Sequence, residues 1–282
     1  MEIKAIALDM DGTLLDPSGS IDDKLLSLLS NLRKQGIKIF VATGRTQKEI
    51  ADVLPSHVKL DGYVTANGMG AYTDSKPLAQ HALHKQLLQQ VLSEAREAKL
   101  YYEVHPLQES RFALELDKEY FTNEVIHTMA PETLLTNEFN SRTAAIDKKI
   151  QWVQELNFQD IVKVYFFSMS PKKINDWKAR LNTFKQERDF SMSSSSLHNV
   201  EIMVSNVSKA TGIELLLKEY GLIKDNLLVV GDGENDIPMF QLAAHAVAMK
   251  NAEENVKSEA NEITSLTYEQ NGLFYYLLSR FD

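Results

Sequence analysis

A largely apolar run, Ile3-Lys4-Ala5-Ile6-Ala7-Leu8, stops abruptly at Asp9-Met10-Asp11-Gly12-Thr13. A short apolar stretch without alternation fits a strand buried on both faces of a parallel sheet. Aspartate is a poor strand residue, so two carboxylates spaced i, i+2 at the end of such a strand call for a cause. A helix N-cap or a turn would be one, because Asp and Gly favour both. The other is chemical. Open α/β sheets bind ligands at the carboxyl ends of their strands, and two carboxylates there suit a metal ion and proton transfer.

The rest of the chain favours the chemical cause. Residues 22–35 read as an amphipathic helix closed by Gly36, and 37–42 as a strand ending in Thr43-Gly44-Arg45. A helix over 46–54 and a strand over 63–66, ending in Asn67-Gly68, follow. This alternation predicts an α/β fold: a Rossmann-like parallel sheet with helices on both faces and right-handed crossovers. The middle has another rhythm. Residues 100–104 and 112–116 read as paired antiparallel strands, 117–128 and 143–156 as helical, 161–167 as a strand and 171–186 as a helix. Residues 190–194 and 200–204 read as a closing pair. From about 207 the first rhythm returns. A helix over 208–219 precedes the strand 227–230, which ends in Gly231-Asp232-Gly233-Glu234-Asn235-Asp236. The expected division is a discontinuous core, 1–82 and 199–282, with an α+β insert at 83–198.

Parallel strands would bring Asp9, Asp11, Thr43, Gly44, Asn67, Asp232, Asn235 and Asp236 to one edge of the sheet. Such carboxylates repel one another unless a cation joins them, and an all-oxygen donor set favours Mg²⁺. The chain has no cysteine, so thiolate sites and disulfides are excluded. Neither Asp9 nor Asp232 opens an EF-hand, because Leu14 and Ile237 stand where that loop needs glycine. Gly231-x-Gly233 has Asp236 where a dinucleotide fingerprint needs its third glycine. Lys209, opening the helix over 208–219, offers a fixed positive charge, and two carboxylates, a metal and such a lysine suit phosphoryl transfer: one carboxylate attacks phosphorus, the other moves the proton, and the cations neutralise the phosphoryl oxygens. A net charge of −9 argues against nucleic acid or an anionic membrane as partner. No apolar run approaches the roughly 18 residues of a membrane helix, so a cytoplasmic location is expected.

These residues resemble a known family. Asp9-Met10-Asp11-Gly12-Thr13-Leu14 resembles motif I of the haloacid dehalogenase superfamily, and Thr43-Gly44-Arg45 its motif II. Val207-Ser208-Lys209-Ala210 resembles motif III, and Gly231 to Asp236 motif IV. The long insert resembles the C2-type cap of the Cof-like branch, as do Asn67-Gly68, Glu201-Ile202-Met203 and Asn251-Ala252. The resemblance implies Asp9 as nucleophile and Asp11 as general acid/base, with Asp9, Asp11 (through its carbonyl), Asp232 and Asp236 around Mg²⁺. It implies Thr43, Gly44, Lys209 and Asn235 for the phosphoryl group, and Arg45, Asn67 and Asn251 for substrate. The chain departs from the pattern with Lys250 at a usual glycine and Asn271-Gly272 at a usual Asp-Gly. The implied activity is a Mg²⁺-dependent phosphatase acting on a small phosphorylated metabolite of the sugar phosphate, pyridoxal phosphate or flavin mononucleotide class. Alternatives are a phosphomutase of the same superfamily and a non-catalytic ligand-binding regulator. The presence of Asp9, Asp11, Lys209 and Asp232 together argues against the last.

Overall fold

The apolar run forms β1 (Ala5–Leu8), buried at every residue, in a computed structural model describing residues 2–55, 58–194 and 196–281. Its side chains divide between two cores. Ile6 and Leu8 pack with Leu25, Leu29 and Leu32 of α1 (Asp23–Lys34), whereas Ala5 and Ala7 join a separate cluster on the opposite face. The chain continues through β2 (Lys38–Ala42), α2 (Gln47–Ala51), β3 (Gly62–Thr65), β4 (Gly70–Thr73) and β5 (Pro77–Gln80). The Asp22 side chain caps α1 by accepting from the Lys24 and Leu25 N–H groups. Thr46 and Glu49 form a capping box that starts α2, which ends at Ala51 rather than near 54.

The insert begins with α3 (Lys85–Glu97), β6 (Tyr101–Pro106) and β7 (Phe112–Leu114). It continues with α4 (Lys118–Val125), α5 (Thr136–Ala144), β8 (Gln151–Val153), β9 (Ile161–Phe167), α6 (Pro171–Phe184), β10 (Ser191–Ser193) and β11 (Asn199–Met203). Among the described residues its six strands form a sheet of their own, in the order β10-β11-β9-β6-β7-β8. Leu88, Val91 and Leu92 of α3 share one apolar cluster with Ile174, Trp177 and Leu181 of α6. Phe121 is fully buried among the rings of Tyr101, Tyr102, Tyr120 and Trp152, with centroids 4.5–5.7 Å away. Glu103 is also fully buried, accepting from Tyr101 Oη at 2.5 Å, from Arg111 at 2.7 Å and from Arg142.

The first rhythm resumes with α7 (Lys209–Glu219), β12 (Leu227–Gly231), α8 (Ile237–Leu242), β13 (His245–Ala248), α9 (Glu254–Lys257), β14 (Glu262–Ile263) and α10 (Gly272–Phe281). The eight-stranded sheet runs β14-β13-β12-β1-β2-β3-β4-β5. It is parallel from β14 to β3, and β4 and β5 add an antiparallel edge. Leu273 and Leu277 of α10 cover the α1 face, and Ile213 and Leu216 of α7 with Met239 and Phe240 of α8 cover the other. Among the described residues no helix is long and apolar enough to cross a membrane.

Three readings of the sequence change. The β4–β5 hairpin was not expected. Residues 143–156 are not one helix: α5 ends at Ala144, and β8 pairs in parallel with β7 from Gln151 opposite Phe112. The chain divides into Met1–Gln80 with Val207–Asp282, and His81–Asn206, instead of changing at 82 and 199. The cause is β11, whose residues Asn199 to Ile202 pair with β9 of the insert sheet.

Candidate active site

Each parallel strand delivers a polar residue just past its last pair. The Asp9 N–H still donates to Val230 O at 2.9 Å, which extends the β1–β12 ladder by one bond and fixes where the carboxylate stands. Beyond it the chain folds into a tight loop closed by Leu15 N–H to Met10 O at 2.9 Å. Thr43 follows β2, Ala66-Asn67 follow β3, Asp232 follows β12, and Lys250-Asn251 lie just past β13. Because these strands are parallel, their ends share one edge, as the sequence pattern anticipated.

At the centre lies Lys209, the first residue of α7 and fully buried. Its Nζ donates to Asp9 Oδ1 and to Asp236 Oδ1, both at 2.6 Å. Burial opposes its charge, but Asp236 and Asp9 more than compensate and hold the ammonium above its ordinary range. Asp236 is equally buried, and its Oδ2 accepts the Asp232 and Gly233 N–H groups at 2.9 Å each. Both oxygens of Asp236 are therefore engaged in shaping the loop after β12. Asp232 accepts from Thr13 Oγ1 at 3.1 Å and from Asn251 Nδ2 at 3.1 Å. Asn251 also donates to Gly12 O at 3.0 Å and accepts the Tyr268 N–H at 3.1 Å. Its amide ties the Asp232 loop to the turn after β1, so the structure uses it to position Asp232; the sequence reading had set it against substrate.

Two glycines permit this crowding. Gly12 has φ of +77°, and a Cβ on it would stand 2.1 Å from Asp232 Oδ2. Gly68, at φ of +101°, lets the turn after β3 approach α7 so closely that a Cβ would fall 2.1 Å from Ser208 O. Of the remaining expected residues, Thr43 is buried and its Oγ1 accepts the Arg45 N–H at 3.1 Å. Gly44 passes against the Asn67 side chain, and Asn235 donates to Asn67 Oδ1 at 3.0 Å. Asp11 stands apart from the acidic group: its carboxylate is held by Arg45, with bonds of 2.8 and 2.6 Å. Lys250 reaches away to Ser265 O at 3.1 Å. Thr13 and Tyr268 were not singled out beforehand. Thr13 belongs to the motif around Asp9, whereas nothing local marks a backbone N–H 17 residues beyond Asn251.

Asp9, Asp232 and Asp236 each bring a carboxylate oxygen within 4.8 Å of the others. Burial is the largest influence on Asp9 and pushes its carboxyl well above the usual range; Lys209 pulls the other way, and Asp236 and Asp232 add to the rise. Asp232 is pushed up to about 6, by burial and then by Asp236. Three carboxylates and one ammonium leave a local excess of two negative charges when all are ionised. A small divalent cation with oxygen preference balances that excess, so the donor set fits Mg²⁺.

Known proteins resemble this chain over nearly its whole length. The family model for haloacid dehalogenase-like hydrolases matches residues 6–277. Phosphatase YwpJ of Bacillus subtilis (strain 168) is 25% identical, over 98% of this chain and 99% of its own length. The 5-amino-6-(5-phospho-D-ribitylamino)uracil phosphatase YwtE of the same organism is 25% identical, over 98% of this chain and 97% of its own. A solved haloacid dehalogenase-like hydrolase from B. subtilis shares the fold with a TM-score of 0.77 at 24% identity, covering 98% of this chain and 99% of that one. Another from Bacteroides thetaiotaomicron gives 0.79 at 21%, covering 99% and 100%.

Proposed function

Because the chain belongs to the haloacid dehalogenase-like hydrolase family, we propose that it is a Mg²⁺-dependent phosphatase of small phosphorylated metabolites that works through an aspartyl-phosphate on Asp9. The observation carrying this reading is the Asp9 carboxylate, fixed at the end of β1 by Lys209 and grouped with Asp232 and Asp236. Bound among Asp9, Asp232 and the Asp11 carbonyl, with Asp236 supporting them, Mg²⁺ would supply charge neutralisation for the phosphoryl oxygens.

The chain's own groups do the rest. An Asp9 oxygen attacks phosphorus while the bond to the ester oxygen breaks, and that oxygen leaves with the electron pair. Asp11, as general acid, passes a proton to the departing alkoxide, then as general base takes one from the water that hydrolyses the aspartyl-phosphate. Lys209 and the Thr43 hydroxyl hold phosphoryl oxygens, with the backbone at Gly44 and the Asn235 amide beside them. The buried contacts of Lys209 keep its ammonium in place throughout the cycle.

The test is release of inorganic phosphate from a panel of sugar phosphates, pyridoxal phosphate, flavin mononucleotide and 5-amino-6-(5-phospho-D-ribitylamino)uracil. Activity should require Mg²⁺, disappear with EDTA, and be absent from Asp9→Asn, whose circular dichroism should match wild type. Full turnover by Asp9→Asn, or after chelation, would overturn the reading, and an isomeric phosphate formed in place of free phosphate would make the enzyme a mutase. Substrate choice is assigned to the insert, residues 81–206. Exchanging that segment for a relative's should change the preferred ester while the need for Asp9 and Mg²⁺ persists. An unchanged preference would place selectivity in the core.

A further inference from the structure

Arg45 is paired with the carboxylate of Asp11. Its Nε donates to Asp11 Oδ2 at 2.8 Å and one terminal nitrogen to Asp11 Oδ1 at 2.6 Å, a two-pronged grip on the whole carboxylate. While that grip is closed, each oxygen of Asp11 accepts one bond from the guanidinium, so a leaving group or a water must share the carboxylate with Arg45. The pair lies at the solvent boundary, with the Asp11 side chain 59% exposed and that of Arg45 26%. An ion pair at the solvent boundary is screened by salt and pays less to open than a buried one, so it can be exchanged for another anion. The main chain of Arg45 is anchored, its N–H on Thr43 Oγ1 and its carbonyl accepting the Ala66 N–H at 2.7 Å. Motion is thus left to the side chain. Arg45 follows Thr43 and Gly44 at the strand edge that carries Asp9, so a phosphate dianion arriving at Asp9 would compete for its guanidinium.

Resting on the phosphatase reading, we propose that Arg45 is an exchangeable counter-ion, parked on Asp11 in the resting enzyme and drawn off it by the incoming phosphate group. Substrate arrival thereby unlocks the acid/base. Asp11 is not free when the phosphoryl site is empty, and it becomes available once Arg45 has a better anion to hold. Arg45 then serves as a phosphate ligand and as the positioning residue of Asp11, in alternation.

Competition for one cation has a thermodynamic signature, because removing either competitor must strengthen binding of the other. The probe is inorganic phosphate, titrated calorimetrically into the Mg²⁺-loaded protein. Four forms are compared: wild type, Arg45→Gln, Asp11→Asn and the double variant, each checked for fold by circular dichroism. Arg45→Gln should weaken phosphate about tenfold or more, the loss of a charge-assisted bidentate contact. Asp11→Asn should tighten it several-fold, and that gain should vanish in the Arg45→Gln background. Unchanged affinity in Arg45→Gln would show that Arg45 never leaves Asp11. An equal gain from Asp11→Asn in both backgrounds would reduce the effect to simple removal of a negative charge. Either result overturns the exchange while leaving the phosphatase reading intact. Wild type that neither binds phosphate nor hydrolyses any ester would remove the phosphatase reading and the exchange together.

Discussion

Replacing Asp236 by Asn alters one atom of a buried side chain and forces a choice. The carboxylate accepts two backbone N–H groups through Oδ2 and the Lys209 ammonium through Oδ1. An amide has one acceptor and one donor end. If its oxygen faces the N–H pair, its NH₂ meets Lys209 Nζ; if it faces Lys209, the NH₂ meets two N–H groups. With no exposure at Asp236, water cannot rescue either arrangement. Hydrogen bonds to a charged group contribute about 1.5–3 kcal/mol each, and breaking a buried ion pair costs about 3–5. Lys209 keeps Asp9 as a partner, which limits the damage, so the expected loss is roughly 3–5 kcal/mol. This is a large share of the 5–15 kcal/mol typical of folded domains. Urea unfolding in EDTA, followed by far-UV circular dichroism, should show a lower midpoint with an unchanged slope. Hydrogen exchange should place the new openings in β12 and the loop after it. A loss below about 1 kcal/mol would show that the three contacts are replaceable and that Asp236 does not hold the loop.

Gly12→Ala should push the Asp232 carboxylate away, because its Cβ would sit 2.1 Å from Oδ2 and φ of +77° is unfavourable for alanine. The Mg²⁺ concentration for half-maximal activity should rise about tenfold or more, and an unchanged Mg²⁺ titration would refute this. The insert should be acid-labile through His105, which burial pushes down to about 4 from an ordinary 6.5, against the pull of Glu103. Since the unfolded chain takes the proton more readily, this contribution is whole above about pH 6.5 and is lost as pH falls toward 4, worth roughly 3 kcal/mol in all. Tryptophan fluorescence reads the effect, because Trp152 and Trp177, the only two tryptophans, both belong to the insert. The urea midpoint should fall between pH 7 and 4.5 in wild type and less so in His105→Gln, and a flat wild-type profile would contradict the assignment.

The strand that ends in Asp9 was legible because a chain buried on both faces leaves an unmistakable apolar run and then a residue that does not belong in it. The same holds for β2 and β12. The hairpin Gly70–Thr73 and Pro77–Gln80 left no such trace. It forms the edge of the sheet, and Asp74-Ser75-Lys76 followed by Pro77 reads as loop. Residues 150–156, the end of the stretch 143–156, read as helix because their local preferences point that way, and the pairing of Gln151–Val153 with Phe112–Leu114 overrides them; the helical turn itself runs on to Lys149. Within the site, residue types could be read, but partners could not. That Asn251 clamps Asp232, and that Arg45 holds Asp11, depends on contacts across 19 and 34 positions of chain. No local spacing encodes such choices.

The order of strands also sets a schedule. Ala5 pairs with Lys38, 33 residues on, and with Leu227, 222 residues on. At a synthesis rate of about 5–20 residues per second, the second partner leaves the ribosome some 10–45 s after β1. During that interval the central strand of the sheet has a neighbour on one side and bare amides and carbonyls on the other, with Asp9 and Asp11 at its tip and no Lys209 to accompany them. The described strands of the insert, by contrast, pair with one another. The nascent chain thus carries its most adhesive edge longest at its oldest end, and chaperone demand during translation should concentrate on the first 80 residues.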